Sequence, residues 1–132
     1  MVTNTAGTTA RELAFQAVHY LRKTLTVDDT TATFVGTIPS GAIVIPDSSG
    51  FLPTTDFDGS SPTIDVGVDG ETDAWMDGGD IDTVGSFVPL DQNDAGFLVT
   101  ADTDVYALVG GGGSHTTGSG ELVIMFIPDN DG

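Results

Sequence analysis

Cysteine is absent from the 132 residues, which excludes disulfides, thiolate metal sites and cysteine nucleophiles. Histidine occurs only at His19 and His115, far apart and on dissimilar segments, so a histidine-based metal site or catalytic triad has no support. With one Trp and two Tyr there is no aromatic platform for a sugar. No apolar run approaches the ~20 residues needed to span a bilayer. The first residues lack a basic segment followed by an apolar stretch and a cleavage site, so the chain is expected to be soluble and without a secretion signal.

Positive charge is the scarcest feature. All three cations, Arg11, Arg22 and Lys23, lie in the first 23 residues with only Glu12 opposing them, and from Thr24 onward there is no Lys or Arg. The first 23 residues carry a net +2 and the rest −19, for a formal charge of −17. So acidic a body repels phosphate backbones and anionic lipid, because affinity for both comes mainly from Lys and Arg. Neither nucleic acid nor a membrane is an expected partner. An acidic solubilising surface is the plain reading, and scarce lysine with abundant Asp also suits a protein adapted to high salt. The sharper reading is that Arg11, Arg22 and Lys23 dock the N-terminal region onto an acidic neighbour, such as another copy of the chain.

Against these absences stands a hydrophobic fraction of 39%, enough to build a core. The length suits one domain that buries roughly two-thirds of the surface its unfolded chain would expose. Residues 1–16 read as an N-terminal arm or short helix and residues 17–132 as a β-sandwich domain. RELAFQAVHYLRK carries both helical and strand periodicity. The β-branched and aromatic content and the alternation through Leu25 and Val27 favour a strand over Ala17–Val27. Short strands separated by turn chemistry follow: Thr31–Thr37, Ala42–Ile45, Phe51–Phe57 with Pro53 suiting an edge or a bulge, and Thr63–Val68 closed by Asp69-Gly70. Glu71–Met76 reads as a short helical turn, since Ala74, Trp75 and Met76 tolerate helix. Ser86–Leu90, Gly96–Thr100, Asp104–Val109 and Glu121–Ile127 complete the strand set, and Gly110–Gly113 reads as a flexible hairpin tip. This spacing predicts an all-β, single-domain antiparallel β-sandwich, jelly-roll-like.

No motif carries catalytic chemistry. Asp56-Phe57-Asp58-Gly59 and the acids between Asp65 and Asp82 invite a calcium reading, but EF-hand spacing from Asp65 puts Gly67 at position 3 and Met76 where a bidentate Glu is needed. An Asp-rich calcium-binding β domain is kept as a lesser alternative. The glycine run at Gly110 lacks the Lys-Ser/Thr of a phosphate loop. His19 reads as a strand residue and His115 as a solvated loop residue. No pair of carboxylates stands out for glycoside cleavage. Trp75 and Met76 suit either an exposed hydrophobic contact or, as the better reading, a plug in the core. No catalytic, cofactor or metal residue is assigned. The candidate interface residues are Arg11, Arg22, Lys23, Trp75 and Met76.

IPSGAIVI, then TTDFDGSSPTIDVGVDGETDAWMDGGDID, then DVYALVGGGGSHTTGSGELVIMFI together resemble small structural proteins of tailed bacterial and archaeal viruses. The likeness is to capsid cement or decoration proteins and runs from about Tyr20 to Ile127. It rests on a pattern of strand, FDG-type turn and terminal strand. The resemblance implies a non-enzymatic virion component on the head surface, made in the host cytoplasm, without cofactors. Its implied partners are the major capsid protein or other virion subunits, and copies of itself, often as a homotrimer. No catalytic or ligand residues carry over from such a family, and the high acidity departs from an average member. From a different class, a fibre or spike module recognising a host glycan is the alternative, which an exposed aromatic cluster on one surface would favour.

Overall fold

A computed structural model describes residues 18–112 and 115–129. Its strands are β1 (His19–Thr26), β2 (Thr33–Ile38), β3 (Ile43–Val44), β4 (Gly50–Thr55), β5 (Ser60–Val68), β6 (Glu71–Asp80), β7 (Val88–Pro89), β8 (Thr103–Gly112) and β9 (Ser119–Ile127). A single 3₁₀ turn, Pro46–Ser48, is the only helical element among the described residues. Two antiparallel sheets form: a five-stranded sheet ordered β1-β9-β4-β7, with β3 also pairing β9, and a four-stranded sheet ordered β2-β8-β5-β6. The chain is an all-β sandwich.

Alternation explains how the sheets face each other. Along β9, Leu122, Ile124 and Phe126 are buried while Glu121, Val123, Met125 and Ile127 keep some exposure, the period of two expected of a sheet covered on one face. The core between the layers holds Trp75, Phe51, Phe57, Leu25, Ile38, Ile64, Met76 and Ile81, joined by Val105, Ala107 and Val109 of β8. Pro53 sits beside a register shift between Pro53 and Thr55, so its missing N–H falls at a bulge, as its chemistry requires.

Four expectations are corrected. Glu71–Met76 is strand rather than helical turn. Asp69-Gly70 reverses the chain in a two-residue loop, Gly70 taking φ 82°, and lays β6 antiparallel on β5 with Val68 opposite Glu71 and Val66 opposite Met76. The unequal spacing of those pairs lets consecutive Ala74, Trp75 and Met76 all bury, so tertiary pairing overrides their tolerance of helix. Gly96–Thr100 is not a strand but is tied to the chain before it through a bridge from Leu98 to Ile43 and bonds such as Val99 N–H to the Ala42 carbonyl, 2.8 Å. Gly110–Gly112 is not a hairpin tip but the end of β8, paired with Ser60–Thr63. Gly111 lies at φ 122° with the Ser61 carbonyl where a Cβ would be, so close backbone approach, not flexibility, sets its identity. The Ser86–Leu90 strand shrinks to Val88–Pro89, where Pro89 has no N–H for a ladder.

Candidate functional site

Each sheet ends on a long strand that no other strand covers among the described residues: β1 for the five-stranded sheet and β6 for the four-stranded one. β1 runs in unbroken register with β9, from His19 opposite Phe126 to Thr26 opposite Ser119. On the outer face of this pair Tyr20 lies opposite Met125, Arg22 opposite Val123 and Thr24 opposite Glu121. Tyr20 is 64% exposed, and Ile43, Leu98 and Ile127 are also exposed where β3 meets the end of β9. Ile43 pairs with Ile127 and bridges to Leu98, so these three form a contiguous apolar rim.

Polar chemistry continues the face. Arg22 Nε donates to Glu121 Oε1 at 2.8 Å and Thr24 Oγ1 to Glu121 Oε2 at 2.6 Å. The Thr24 hydroxyl first, and the Arg22 guanidinium second, hold the Glu121 carboxyl below its ordinary range. Lys23 shares the inward parity of Leu21 and Leu25, is half-buried, and forms no ion pair among the described residues. Arg11 lies outside the described residues. Trp75 and Met76 are fully buried; the indole Nε1–H donates to the Gly96 carbonyl at 3.0 Å, and the ring stacks near Phe97 at 6.3 Å. They are core residues and present no surface in this chain.

On the opposite edge, β6 exposes Glu71, Asp73, Asp77 and Asp80 with no cation nearby among the described residues. Asp65 does not join them as a ligand set; its Oδ1 accepts the Gly78 N–H at 2.7 Å. Among the described residues no three His, Asp or Glu side chains are grouped to hold a metal ion.

The FDG segment is a clamp. Asp58 accepts the backbone N–H groups of Thr116 (2.7 Å) and Thr117 (3.1 Å), and the Thr116 hydroxyl donates to its other oxygen. The Thr116 hydroxyl, then these amides, lower the carboxyl from 3.8 to about 2. Beside it Gly59 N–H donates to His115 Nδ1 at 3.0 Å, and the imidazole meets the Phe57 ring edge-on at 6.4 Å. His115 is thus a packed residue that closes one end of the sandwich, not a solvated one. Sequence alone gave no sign of this, since Asp58 and Thr116 are far apart in the chain. Two surface depressions, one around Val27, Thr30 and His115 and one around Val68, Leu98 and Thr103, bring no two carboxylates together.

No protein-family model matches the sequence, and no curated protein matches it. Solved structures do. A chain of the cyanophage Pam1 capsid asymmetric unit is similar with a TM-score of 0.61 and 21% identity, over 86% of this chain and 86% of that one. A chain of the acidic stable capsid of Helicobacter pylori bacteriophage KHP30 is similar with a TM-score of 0.63 and 15% identity, over 85% of this chain and 89% of that one. At these identities the likeness establishes a shared fold: this chain is built on the same β-sandwich as chains found in two phage capsids.

Proposed function

We propose that this protein is a non-enzymatic structural subunit of a virus particle, a head-surface decoration or cement protein that holds neighbouring shell subunits together. The observation that carries the reading is the reciprocal coverage of the two capsid chains: the fold is matched over nearly the whole of each partner, so the resemblance is of one domain to one domain. The open β1 edge with its exposed Tyr20, and the apolar rim of Ile43, Leu98 and Ile127, suit a protein whose work is contact with other proteins.

The mechanism is mechanical. Apolar area removed from water at a subunit junction contributes roughly 25 cal/mol per Å² before the cost of association is subtracted. Repeated around a shell, a modest surplus per contact opposes internal pressure with no covalent step, cofactor or metal. The partners in this reading are the major capsid protein and further copies of the chain, with a trimer as the first state to test. Residues 1–16, with Arg11, act as a docking arm. In the alternative, a glycan-binding module, the aromatic surface would be the exposed Phe34 with its edge-on neighbour Tyr106.

Particles purified through a density gradient and analysed by mass spectrometry should contain the chain at a fixed ratio to the major shell protein, and imaging should place it on the head. Its loss from washed particles, or a position in the tail, would overturn the decoration reading.

A further inference from the structure

The two long edge strands, β1 and β6, differ in charge. β1 carries Arg22 and Lys23, the only Lys or Arg among the described residues. The Arg22 side chain is 61% exposed even while its Nε holds Glu121, leaving its other guanidinium donors for a second acceptor. β6 carries Glu71, Asp73, Asp77 and Asp80, all exposed, and meets no cation on its own chain among the described residues. Each edge also has apolar side chains in the open. Val18 and Tyr20 stand at the start of β1. Val84 and Phe87 stand in the segment after β6, where the neighbouring Val88 comes within 3.3 Å of the Cβ position of Gly79.

From this complementarity we infer that β1 of one copy docks against the β6 side of a second copy, head to tail, with Arg22 facing Glu71, Asp73 and Asp77, Lys23 adding its charge at the rim of the same edge, and Tyr20 packing toward Phe87. The occupant of the β1 edge is therefore a second copy of this chain. The body from Thr24 onward bears −19, and β1 is the strand whose cations oppose that charge on a second copy. The contact runs through side chains rather than a continued ladder. β6 has register shifts against β5 between Ile64 and Val66 and between Val66 and Val68, and such interruptions stop a strand from templating another. Because the surface used on one copy differs from that used on the next, the arrangement is heterologous and closes as a ring if the rotation permits. It rests on the assembly reading proposed above and names the surfaces that reading leaves open.

Charge reversal in trans tests it. One variant carries Arg22→Glu with Lys23→Glu; the other carries Asp73→Lys with Asp77→Lys. All four positions lie at the surface or its rim, and circular dichroism with thermal melting checks that both variants fold. By sedimentation velocity the wild type self-associates, and each variant alone does so at least roughly tenfold more weakly. An equimolar mixture of the two associates where neither variant does alone, with cross-links only between unlike copies. Folded variants that self-associate like the wild type, a mixture that stays dissociated, or a wild type that is monomeric at every soluble concentration would each overturn the inference. Particle incorporation of the wild type is scored separately. Incorporation without charge-dependent pairing defeats this inference alone, and charge-dependent pairing without incorporation defeats the virion reading alone.

Discussion

β1 and β6 occupy the same position, the outer strand of a sheet, yet they are protected in opposite ways. β6 is long, but it is acidic and twice out of register with its neighbour, two features that discourage a further strand from adding. β1 is regular from end to end, carries both described cations and exposes Tyr20. The β6 edge is closed to backbone pairing and the β1 edge is left open. The contrast also separates stability from contact. β6 contributes Ala74, Trp75 and Met76 to the core, whereas the outward residues of β1 contribute little to it.

The strongest way to break that contrast is to remove the anchor of β6. Trp75→Ala empties a fully buried site and deletes the indole bond to Gly96. It should lower stability by about 3–5 kcal/mol in denaturant titration, enough to unfold a marginal domain. A loss under 1 kcal/mol would show that β6 is not held through its tryptophan. Next, Gly111→Ala forces a Cβ toward the Ser61 carbonyl at a left-handed backbone position, and should cost about 2 kcal/mol by displacing β8 from β5. The wild-type melting temperature recovered in full would contradict the close approach.

Acid sharpens the comparison at the end of the sandwich. Asp58 is held down from 3.8 to about 2 by the Thr116 hydroxyl and the amides of Thr117 and Thr116. A carboxyl with a lowered folded pKa adds stability that is complete above its ordinary value and disappears as pH falls through the folded one. Melting temperature should therefore fall between pH 4 and pH 2, and Asp58→Asn should flatten that part of the profile. An unchanged profile in the variant would assign acid sensitivity to other carboxylates. The smallest effect belongs to β1: Arg22→Gln removes an exposed ion pair and should change stability by less than ~1 kcal/mol. A larger loss would make the β1 cations part of the fold rather than of its contacts.

Strand positions were legible where alternation is local. His19–Thr26, Thr33–Ile38 and Ser119–Ile127 lie within a few residues of the segments expected from β-branched and apolar periodicity. Glu71–Met76 reads as helix because Ala-Trp-Met has no alternation of its own; its three side chains bury together only through the uneven pairing with β5. The glycine run misled for a related reason. Composition cannot distinguish a glycine needed for mobility from one needed because a backbone passes close by, and Ser61 supplies that backbone at Gly111. By composition the acids of the FDG turn suit turn formation or cation binding, whereas in the fold Asp58 is a clamp on a segment 58 residues away.

By itself the sequence determined the all-β class, the turn at Asp69-Gly70, the want of thiol chemistry and the confinement of every cation to the first 23 residues. These follow from composition and from steric preferences between near neighbours. Only the tertiary structure decided that β9 sits between β1 and β4, that β1 and β6 became the long sheet edges, and that His115 packs inward. Strand pairing joins segments as distant as Gly50 and Val123, and which edge is left over depends on every other pairing made. A local pattern states that a residue has a buried face; the rest of the chain determines what buries it.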